Sequence, residues 1–208
     1  MPPNKGRKLP PELVTADDVR ALLAACSTAA PTGLRNRALV VALYRAGLRL
    51  DEALTITPAD VDLDGGVILV KPGGWEAPPG GTAGGGRDRI AGIDHGGLAI
   101  IEAWLRARAT LGLADGSPLF CTLSGGPLQP AYVRQLLPRL AEKAGLAKRV
   151  HAQGLRYSHA VELAAEGLPA EVIQAQLGHE SLASTGRYLR RRPAPDRIGA
   201  LQRRKWSP

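Results

Sequence analysis

Two arginines lie at the ends of predicted helices, where a guanidinium group can reach an anion. Arg49 comes two residues after Gly47, at which a predicted helix stops, and Arg156 lies near the start of a later helix. A guanidinium can hold a phosphate through two parallel hydrogen bonds, and the helix N-terminus near Arg156 adds a favourable dipole. The alternative for Arg49 is a salt bridge to Asp51 or Glu52. The alternative for Arg156 is a solvated basic turn.

A lysine stands at the end of a predicted β-hairpin strand. Lys71 is the last residue of this strand and precedes a segment with seven glycines in residues 72–86. A lysine there can donate a proton to a leaving oxygen, although a lysine at such a position is more often simply solvated. Arg87 and Arg89 follow on the returning side and are the alternative basic groups. The hairpin therefore supplies a candidate cation.

A histidine and a tyrosine occur nine residues apart near the end of the chain. His179 follows a helix stop at Gly178, and Ser181 can cap the next helix, which contains Tyr188. This spacing can place an imidazole and a phenol over one pocket. The alternative is a capped surface helix with an interfacial tyrosine.

Metal and disulfide chemistry are not indicated. His151 and His159 suggest zinc, but neither a paired-cysteine motif nor HExxH spacing accompanies them, so we expect no metal site and no cofactor. The two cysteines, Cys26 and Cys121, are too few for a disulfide framework. A reducing, cytosolic setting is the expectation.

The hydrophobic periodicity predicts a mixed α/β fold, mainly α, with one small antiparallel sheet in a single domain. Pro138 is expected to bend or break the helix that contains it. The predicted helices cover residues 16–27, 34–46, 51–54, 98–111, 130–144, 154–166, 170–177 and the segment after Ser181, and the predicted strands cover 67–70, 89–93 and 119–121.

Composition limits the possible partners. The chain has 208 residues, 44% of them hydrophobic, and a net charge of +8, which excludes a disordered chain and favours a polyanion as partner. Only eight residues are aromatic, so contact with a duplex backbone is favoured over base stacking on single strands. No apolar run approaches the ~18 residues of a membrane span, and the first ten residues lack the apolar segment of a secretory signal.

Taken together and in this order, these patterns resemble the catalytic domain of the tyrosine recombinase, or phage integrase, family. That family has an arginine in a G-L-R-x-x-E context, a hairpin lysine, an H-x-L-R box, and L-G-H followed nine residues later by tyrosine. This chain has GLRLDE at 47–52, Lys71, QGLR at 153–156, and LGH at 177–179 followed by Tyr188. The resemblance extends from about Thr15 to Arg190.

The resemblance implies site-specific DNA recombination or integration without metal or cofactor. Tyr188 would attack the scissile phosphate and form a 3′-phosphotyrosyl link with a free 5′-hydroxyl. Arg49 and Arg156 would stabilise the charged phosphorus centre, Lys71 would protonate the leaving oxygen, and His179 would hydrogen-bond the phosphate. The implied DNA contacts are Arg87, Arg89, Arg187, Arg190 and Arg191. The implied partners are double-stranded DNA and further copies of the chain, four on the DNA, in the cytoplasm at the nucleoid and not at a membrane.

Two departures from the family pattern bear on activity. Gln153 stands where the family has histidine, and Tyr157 stands where a second histidine is usual. Glutamine can hydrogen-bond but cannot take up a proton near neutrality, so reduced activity is expected. His151 is a possible substitute, although a shift of two positions would aim it elsewhere.

The predicted domain organisation has three parts and omits one that the family generally has. It consists of a basic disordered lead-in over 1–14, a catalytic domain over 15–190 and a basic tail over 191–208, without an N-terminal core-binding domain. The alternatives to an active recombinase are a catalytically impaired DNA-binding remnant, relaxation of supercoils as by type IB topoisomerases, and a basic domain that binds RNA or another partner.

Overall fold

The computed structural model describes residues 12–71 and 88–189, with side chains in 12–71 and 88–186. The helices are α1 (Ala16–Ala24), α2 (Pro31–Tyr44), α3 (Leu50–Thr55), α4 (His95–Thr110), α5 (Pro130–Lys143), α6 (Ala152–Ala165), α7 (Ala170–Leu177) and α8 (Leu182–Leu189). The strands are β1 (Val61–Asp62), β2 (Val67–Val70) and β3 (Arg89–Gly92), and a 3₁₀ turn spans Pro58–Asp60. The fold is therefore mainly helical with one small sheet, as the sequence predicts.

The sheet is antiparallel in the order β1-β2-β3. Val70, the last residue of β2, is the register partner of Arg89, the first residue of β3. The predicted hairpin therefore exists, and Val70 and Arg89 form the register pair next to the segment that connects its two strands. Lys71 follows the strand instead of ending it.

The predicted third strand at 119–121 is wrong. Cys121 forms an isolated bridge with Pro127, and the third strand of the sheet is β1 instead. The Leu119 carbonyl accepts hydrogen bonds from the side chains of Trp104 and Arg108 on α4. This apolar segment is therefore buried against α4 instead of joining the sheet.

The core is built around α2. Its segment 38–44 is buried on every side, because α1, α3, α4 and α6 all pack against this helix. Such a segment needs no polar face, which is why its hydrophobic residues run consecutively. The C-terminal half of α2 is thereby fixed within the core, and the chain that leaves it leads directly to Gly47 and Arg49.

Two helix starts need correction, and α5 is not broken at its proline. α2 begins at Pro31, three residues before the predicted start at residue 34, because proline is favoured in the first helical position. α4 begins three residues early, at His95, because the Asp94 carboxylate accepts a hydrogen bond from the Gly97 amide and caps the helix. α5 continues through Pro138, which is exposed, so the carbonyl without an amide partner can face water.

The lead-in prediction extends too far at its C-terminal end. Val14 is 1% exposed, and its amide donates to Ser158 Oγ on α6 at 2.8 Å. The next residues form the predicted capping box, in which Thr15 and Asp18 each bind the other's amide. Residues 12–14 therefore belong to the folded domain, whereas residues 1–11 and the tail from residue 190 lie outside the described residues.

Candidate active site

Three arginines from different parts of the chain converge on the C-terminal end of α7. Each donates to a different one of three consecutive carbonyls: Arg89 Nη1 to Gln176 O at 2.8 Å, Arg156 Nη2 to Leu177 O, and Arg49 Nη2 to Gly178 O at 2.8 Å. The last carbonyls of a helix lack partners within the helix and carry partial negative charge. The end of α7 is therefore a natural acceptor for cations.

A single carboxylate, Glu52 on α3, faces the same three guanidinium groups. Its Oε1 lies 2.8 Å from Arg49 Nη1, and its Oε2 lies 2.6 Å from Arg89 Nη2 and 3.7 Å from Arg156 Nη1. Burial raises the pKa of Glu52, but the Arg89 charge, the Arg49 amide and the other two guanidinium charges together hold it below its usual value. Glu52 is therefore ionised, and these four residues are called the arginine cluster below.

The arginine cluster retains positive charge. Three arginines and one glutamate sum to +2, and the helix end, with roughly −0.5 of a charge, lowers this to about +1.5. The side chain of Arg156 is 1% exposed and that of Arg89 10%, whereas that of Arg49 is 43% exposed. The cluster can therefore bind an anion, and Arg49 is the member open to solvent.

Two glycines permit this convergence, and both occupy left-handed backbone positions, with φ of +63° at Gly47 and +58° at Gly178. A Cβ on Gly47 would lie 2.6 Å from His159 Cδ2, and one on Gly178 would lie 2.4 Å from Arg89 Cδ. The Gly47 carbonyl also accepts from Arg156 Nη1 at 2.5 Å. The predicted helix stops are therefore also points of close packing within the site.

Behind Gly47, a buried histidine supports the arginine cluster. His159 is 3% exposed, and burial together with the charges of Arg45 and Arg156 lowers its pKa to about 3. Its Nδ1 is buried without a hydrogen-bond partner among the described residues. His159 is thus a neutral packing residue.

The Gln176 side chain joins the sheet to α7. Its Oε1 accepts from the Gly92 amide at 2.9 Å, and its Nε2 donates to the Gly92 carbonyl at 2.8 Å and to the Ala46 carbonyl at 3.2 Å. The amide thus pairs with β3 as a neighbouring strand would. The end of α7 is thereby fixed against both β3 and the chain that follows α2.

His179 connects the arginine cluster to the helix of Tyr188. Its Nδ1 lies 3.0 Å from Thr185 Oγ1, and its backbone exchanges hydrogen bonds with Gln174. Thr185 is fully buried on α8, which packs against α6 and α7. Tyr188 lies three residues after Thr185 on this helix. The side chains of Tyr188 and Arg187, and all of Arg87, Arg190 and Arg191, lie outside the described residues.

Lys71 is not brought into the arginine cluster. Its Nζ lies 2.5 Å from Asp60 Oδ1, and its side chain is 61% exposed, whereas that of Asp60 is 5% exposed. Its backbone nevertheless follows Val70, the register partner of Arg89. The hairpin therefore brings the chain at Lys71 close to the arginine cluster, while the ammonium group is held by the 3₁₀ turn.

Gln153 is exposed in the first turn of α6, three residues before Arg156. His151 is the N-cap of the same helix, because its Nδ1 accepts the Gly154 amide at 3.1 Å. Burial and the Arg149 charge lower the pKa of His151. The ring of His151 is thus engaged in capping and does not take the place of Gln153.

Metal ligands are not grouped in the described parts of the chain: within 12–71 and 88–189, no three His, Cys, Asp or Glu side chains are placed to hold an ion. Cys26 and Cys121 are buried free thiols. The same ranges contain no helix that is long and apolar enough to cross a membrane.

Sequence reasoning missed two members of the arginine cluster. Arg89, predicted as a DNA contact, is nine-tenths buried in the cluster instead of lying on an open basic surface. Glu52 entered as the salt-bridge alternative for Arg49 and as the glutamate of the G-L-R-x-x-E pattern, without a role in the site, yet it pairs with Arg89 and Arg156 as well. The position of Glu52 three residues after Arg49, where it binds the Arg49 amide, was the available signal. Nothing in the sequence indicates the double hydrogen bond between Gln176 and Gly92.

Comparison with known proteins identifies the family. A model of the phage integrase family matches residues 12–194. The chain belongs to this family, and its resemblance to a tyrosine recombinase catalytic domain is confirmed.

Among curated relatives, the tyrosine recombinase XerD of Xanthomonas axonopodis pv. citri is 34% identical over 196 residues, which are 90% of this chain and 60% of the relative. Tyrosine recombinase XerC 2 of Ralstonia nicotianae is 32% identical over 187 residues, which are 89% of this chain and 51% of the relative. The chain thus spans between about half and 60% of the length of these two relatives.

Solved structures agree on the fold. The XerA recombinase has a TM-score of 0.76 at 24% identity, over 98% of this chain and 69% of that one. The XerH site-specific recombinase, bound to its difH substrate, has a TM-score of 0.69 at 25% identity, over 94% of this chain and 53% of that one. Both likenesses confirm the mainly helical fold with a small antiparallel sheet.

Proposed function

We propose that this chain carries out site-specific recombination of double-stranded DNA, cutting and rejoining strands through a transient covalent link to Tyr188. One observation carries the proposal. The arginine cluster lies on the C-terminal end of α7, where Arg49 binds the Gly178 carbonyl. His179 follows Gly178 directly, and its side chain is hydrogen-bonded to Thr185 on the helix that contains Tyr188. An anion-binding centre and a potential nucleophile are thus joined by one short segment.

The arginine cluster binds the scissile phosphate. A phosphodiester carries one negative charge, which is opposite to the cluster's excess of about +1.5. Arg49 can exchange its bond to the Gly178 carbonyl for a phosphate oxygen because it is partly exposed. Arg156 is held by Gly47 and Leu177 and supplies a fixed charge. Guanidinium groups preorganised in this way stabilise the additional charge of the pentacoordinate phosphorus.

The chemical step conserves the number of phosphoester bonds. The Tyr188 oxygen forms a bond to phosphorus and loses its proton, the bond to the 5′-oxygen breaks, and that oxygen takes up a proton. A phenol ionises near pH ~10, so the positive cluster assists by stabilising the phenolate. A 5′-hydroxyl from another strand then attacks the phosphotyrosine and releases Tyr188, with no net consumption of bond energy.

Lys71 and His179 are proposed as assisting groups. Lys71 protonates the leaving 5′-oxygen, which requires its ammonium to leave Asp60. His179 hydrogen-bonds the phosphate while Thr185 orients its ring. Gln153 can hydrogen-bond but cannot accept a proton, so the proposed activity is lower than a histidine at this position would give.

The proposed partners are duplex DNA and other copies of this chain, four on the DNA, in the cytoplasm at the nucleoid. The net charge of +8 supports a polyanionic partner. Proteins with this fold support a DNA partner and more than one copy on the DNA, since XerH was solved on its difH substrate and lambda integrase as a dimer on a core site. Arg87, Arg187, Arg190 and Arg191 are the proposed contacts to the DNA backbone. Because the matched relatives are recombinases, topoisomerase-like relaxation and a non-catalytic remnant are not favoured.

Trapping the covalent intermediate tests the proposal. The chain is incubated with nicked duplexes of randomised sequence, from which the cleaved strand end diffuses away, and covalent complexes are isolated on denaturing gels and sequenced. The wild-type chain gives a covalent band whose modified peptide maps to Tyr188. Tyr188→Phe abolishes the band, whereas Tyr132→Phe, on α5, retains it. A chain that binds duplex DNA but never forms this band contradicts the proposed function.

A further inference from the structure

We propose that Arg89 is a positioning residue, which holds the guanidinium groups of Arg49 and Arg156 in place through Glu52 and the end of α7. This inference rests on the proposed function, since those two arginines are the ones that bind the phosphate. It replaces the role that the sequence pattern suggests for Arg89, a contact to the DNA backbone.

The guanidinium of Arg89 bridges the two halves of the arginine cluster. Its Nη2 donates to Glu52 Oε2 at 2.6 Å, and its Nη1 donates to the Gln176 carbonyl at 2.8 Å. Its side chain is 10% exposed. Two bonds in different directions need the planar fork of an arginine, which a single ammonium group does not reproduce. Arg89 therefore fixes the distance between Glu52 and the end of α7.

Both partners of Arg49 depend on Arg89. Arg49 binds Glu52 through Nη1 and the Gly178 carbonyl through Nη2. Arg89 holds Glu52 directly, and its aliphatic stem lies over Gly178, where a Cβ would come within 2.4 Å of Cδ. Because Arg49 is otherwise open to solvent, its position follows from these two partners.

The position of Arg156 depends on the same carboxylate. Glu52 Oε2 bonds to Arg89 Nη2 and lies 3.7 Å from Arg156 Nη1, which itself lies 2.5 Å from the Gly47 carbonyl. Without Arg89, the Arg49 amide at 2.6 Å would still hold Oε2, and Arg156 would be the remaining buried guanidinium that faces this oxygen. Since charges attract strongly in a poorly hydrated site, Oε2 and Arg156 Nη1 would move towards each other, and the bond from Arg156 Nη1 to the Gly47 carbonyl would lengthen.

The attachment of the sheet to α7 does not depend on the Arg89 side chain, although Glu52 loses a buried partner without it. Gln176 independently joins α7 to β3 through both polar groups of Gly92, and β3 stays paired with β2 along its length. An Arg89→Ala chain therefore keeps the sheet attached to α7. Its defects report on the arginine cluster.

The main test compares DNA cleavage with DNA binding, using the duplex recovered by covalent trapping. Arg89→Ala is expected to slow single-turnover cleavage at saturating DNA by about 10²-fold, because small misplacements of catalytic groups have effects of that size. Its Kd for the duplex rises far less than the rate falls, and the slope of log Kd against log salt remains that of the wild type. Arg89→Lys restores only part of the rate, and added guanidinium ion partly rescues Arg89→Ala. Arg106→Ala, which removes an exposed arginine on α4, is the matched control for the loss of one charge.

Two results would overturn the inference. One is cleavage by Arg89→Ala at the wild-type rate. The other is a loss of cleavage that only follows weaker binding, with the slope of log Kd against log salt reduced by about one, as expected for a lost phosphate contact. Either would return Arg89 to a passive or a DNA-contacting role.

A second measurement needs no DNA. Glu52 is faced by Arg49 from the start of α3, Arg89 from β3 and Arg156 from α6. Burial raises the pKa of Glu52, and the Arg89 charge is the largest of the opposing effects. In Arg89→Ala, the carboxyl titration of Glu52 followed by NMR moves to higher pH, and the Nε–H signals of Arg49 and Arg156 shift. Unchanged signals contradict the inference, even if the wild-type chain cleaves no duplex and the proposed function fails.

Discussion

At the scale of single residues, the two proposed phosphate-binding arginines differ in what holds them. Arg156 is 1% exposed, and its hydrogen bonds go to the carbonyls of Gly47 and Leu177. Arg49 is 43% exposed and shares Glu52 with its neighbours. We therefore expect Arg156 to contribute to both folding and the proposed chemistry, and Arg49 to contribute chiefly to the proposed chemistry.

Alanine at each position separates these contributions. Arg156→Ala leaves Glu52 short of a buried partner, and we expect the free energy of unfolding to fall by about 3–5 kcal/mol. Arg49→Ala is expected to lower it by about 1 kcal/mol or less. Both abolish covalent-complex formation, with a loss of at least ~10² in rate, and weaken duplex binding only modestly. Urea unfolding and the trapping assay measure the two effects. Equal losses of binding and cleavage in Arg49→Ala would contradict a catalytic role for this residue.

Gln153 offers a gain of activity. It is exposed in the first turn of α6, three residues before Arg156. Gln153→His places there an imidazole that can take up a proton near neutrality, and we expect cleavage to rise by about 10-fold or more. Below pH ~6.5 the gain should disappear as the imidazole is protonated. Gln135→His, exposed on α5, is the matched control. An unchanged rate would show that this position does not limit cleavage.

At the scale of elements, prediction succeeded where one local signal decides the structure. The helix 170–177 was predicted with its observed bounds, and the strand 67–70 was predicted apart from Lys71 at its end, because Pro169 and Gly178 delimit the helix and a β-branched run between glycines defines the strand. The segment 119–121 has the same apolar appearance, but side chains of α4 bind the Leu119 carbonyl, so the segment does not pair as a strand. Burial against α4 is a property of the tertiary structure that local sequence does not carry.

In the candidate site too, features set by local sequence were predicted and features set by tertiary packing were not. Its motifs place Arg49, Arg156 and His179 at helix ends, and the structure brings all three to the end of α7. The position of Arg89 within the arginine cluster depends on the register of β2 with β3 and on the packing of the Arg89 aliphatic chain over Gly178. Neither is a local property, so a sequence pattern could present Arg89 only as a basic group on a hairpin.

At the scale of the whole molecule, acid stability follows from the buried histidine behind Gly47. His159 has a pKa of about 3 in the folded chain, because burial and nearby arginine charges disfavour its protonated form. Its ordinary value is 6.5, so the unfolded chain binds a proton that the folded chain excludes between these pH values. The effect of His159 on the free energy of unfolding is therefore absent well above pH 6.5. Below this pH it lowers the free energy of unfolding by ~1.4 kcal/mol per pH unit.

The matched variants His159→Phe and His95→Gln test this expectation. Between about pH 6.5 and 5, above the range in which carboxylates titrate, the wild-type chain should lose about 2 kcal/mol of unfolding free energy. His159→Phe removes most of this slope, and the remainder belongs to His151, whose pKa is also lowered. His95 is exposed at the start of α4, and its replacement is the matched control for the loss of one imidazole. Urea unfolding at several pH values in this interval measures the free energy of unfolding of each variant. A pH dependence in His159→Phe equal to that of the wild type would contradict the role assigned to His159.

The last turn of α7 fixes which carbonyl oxygen each arginine of the cluster binds. Each guanidinium is matched to one of three successive peptide oxygens, at positions 176, 177 and 178. Inserting or deleting one residue in this turn would rotate the three carbonyl oxygens about the helix axis by about 100°. Each arginine would then face the oxygen that its neighbour binds now. Homologous chains can therefore vary in the exposed side chains of this helix, but not in the count of residues between its final turn and the histidine that follows.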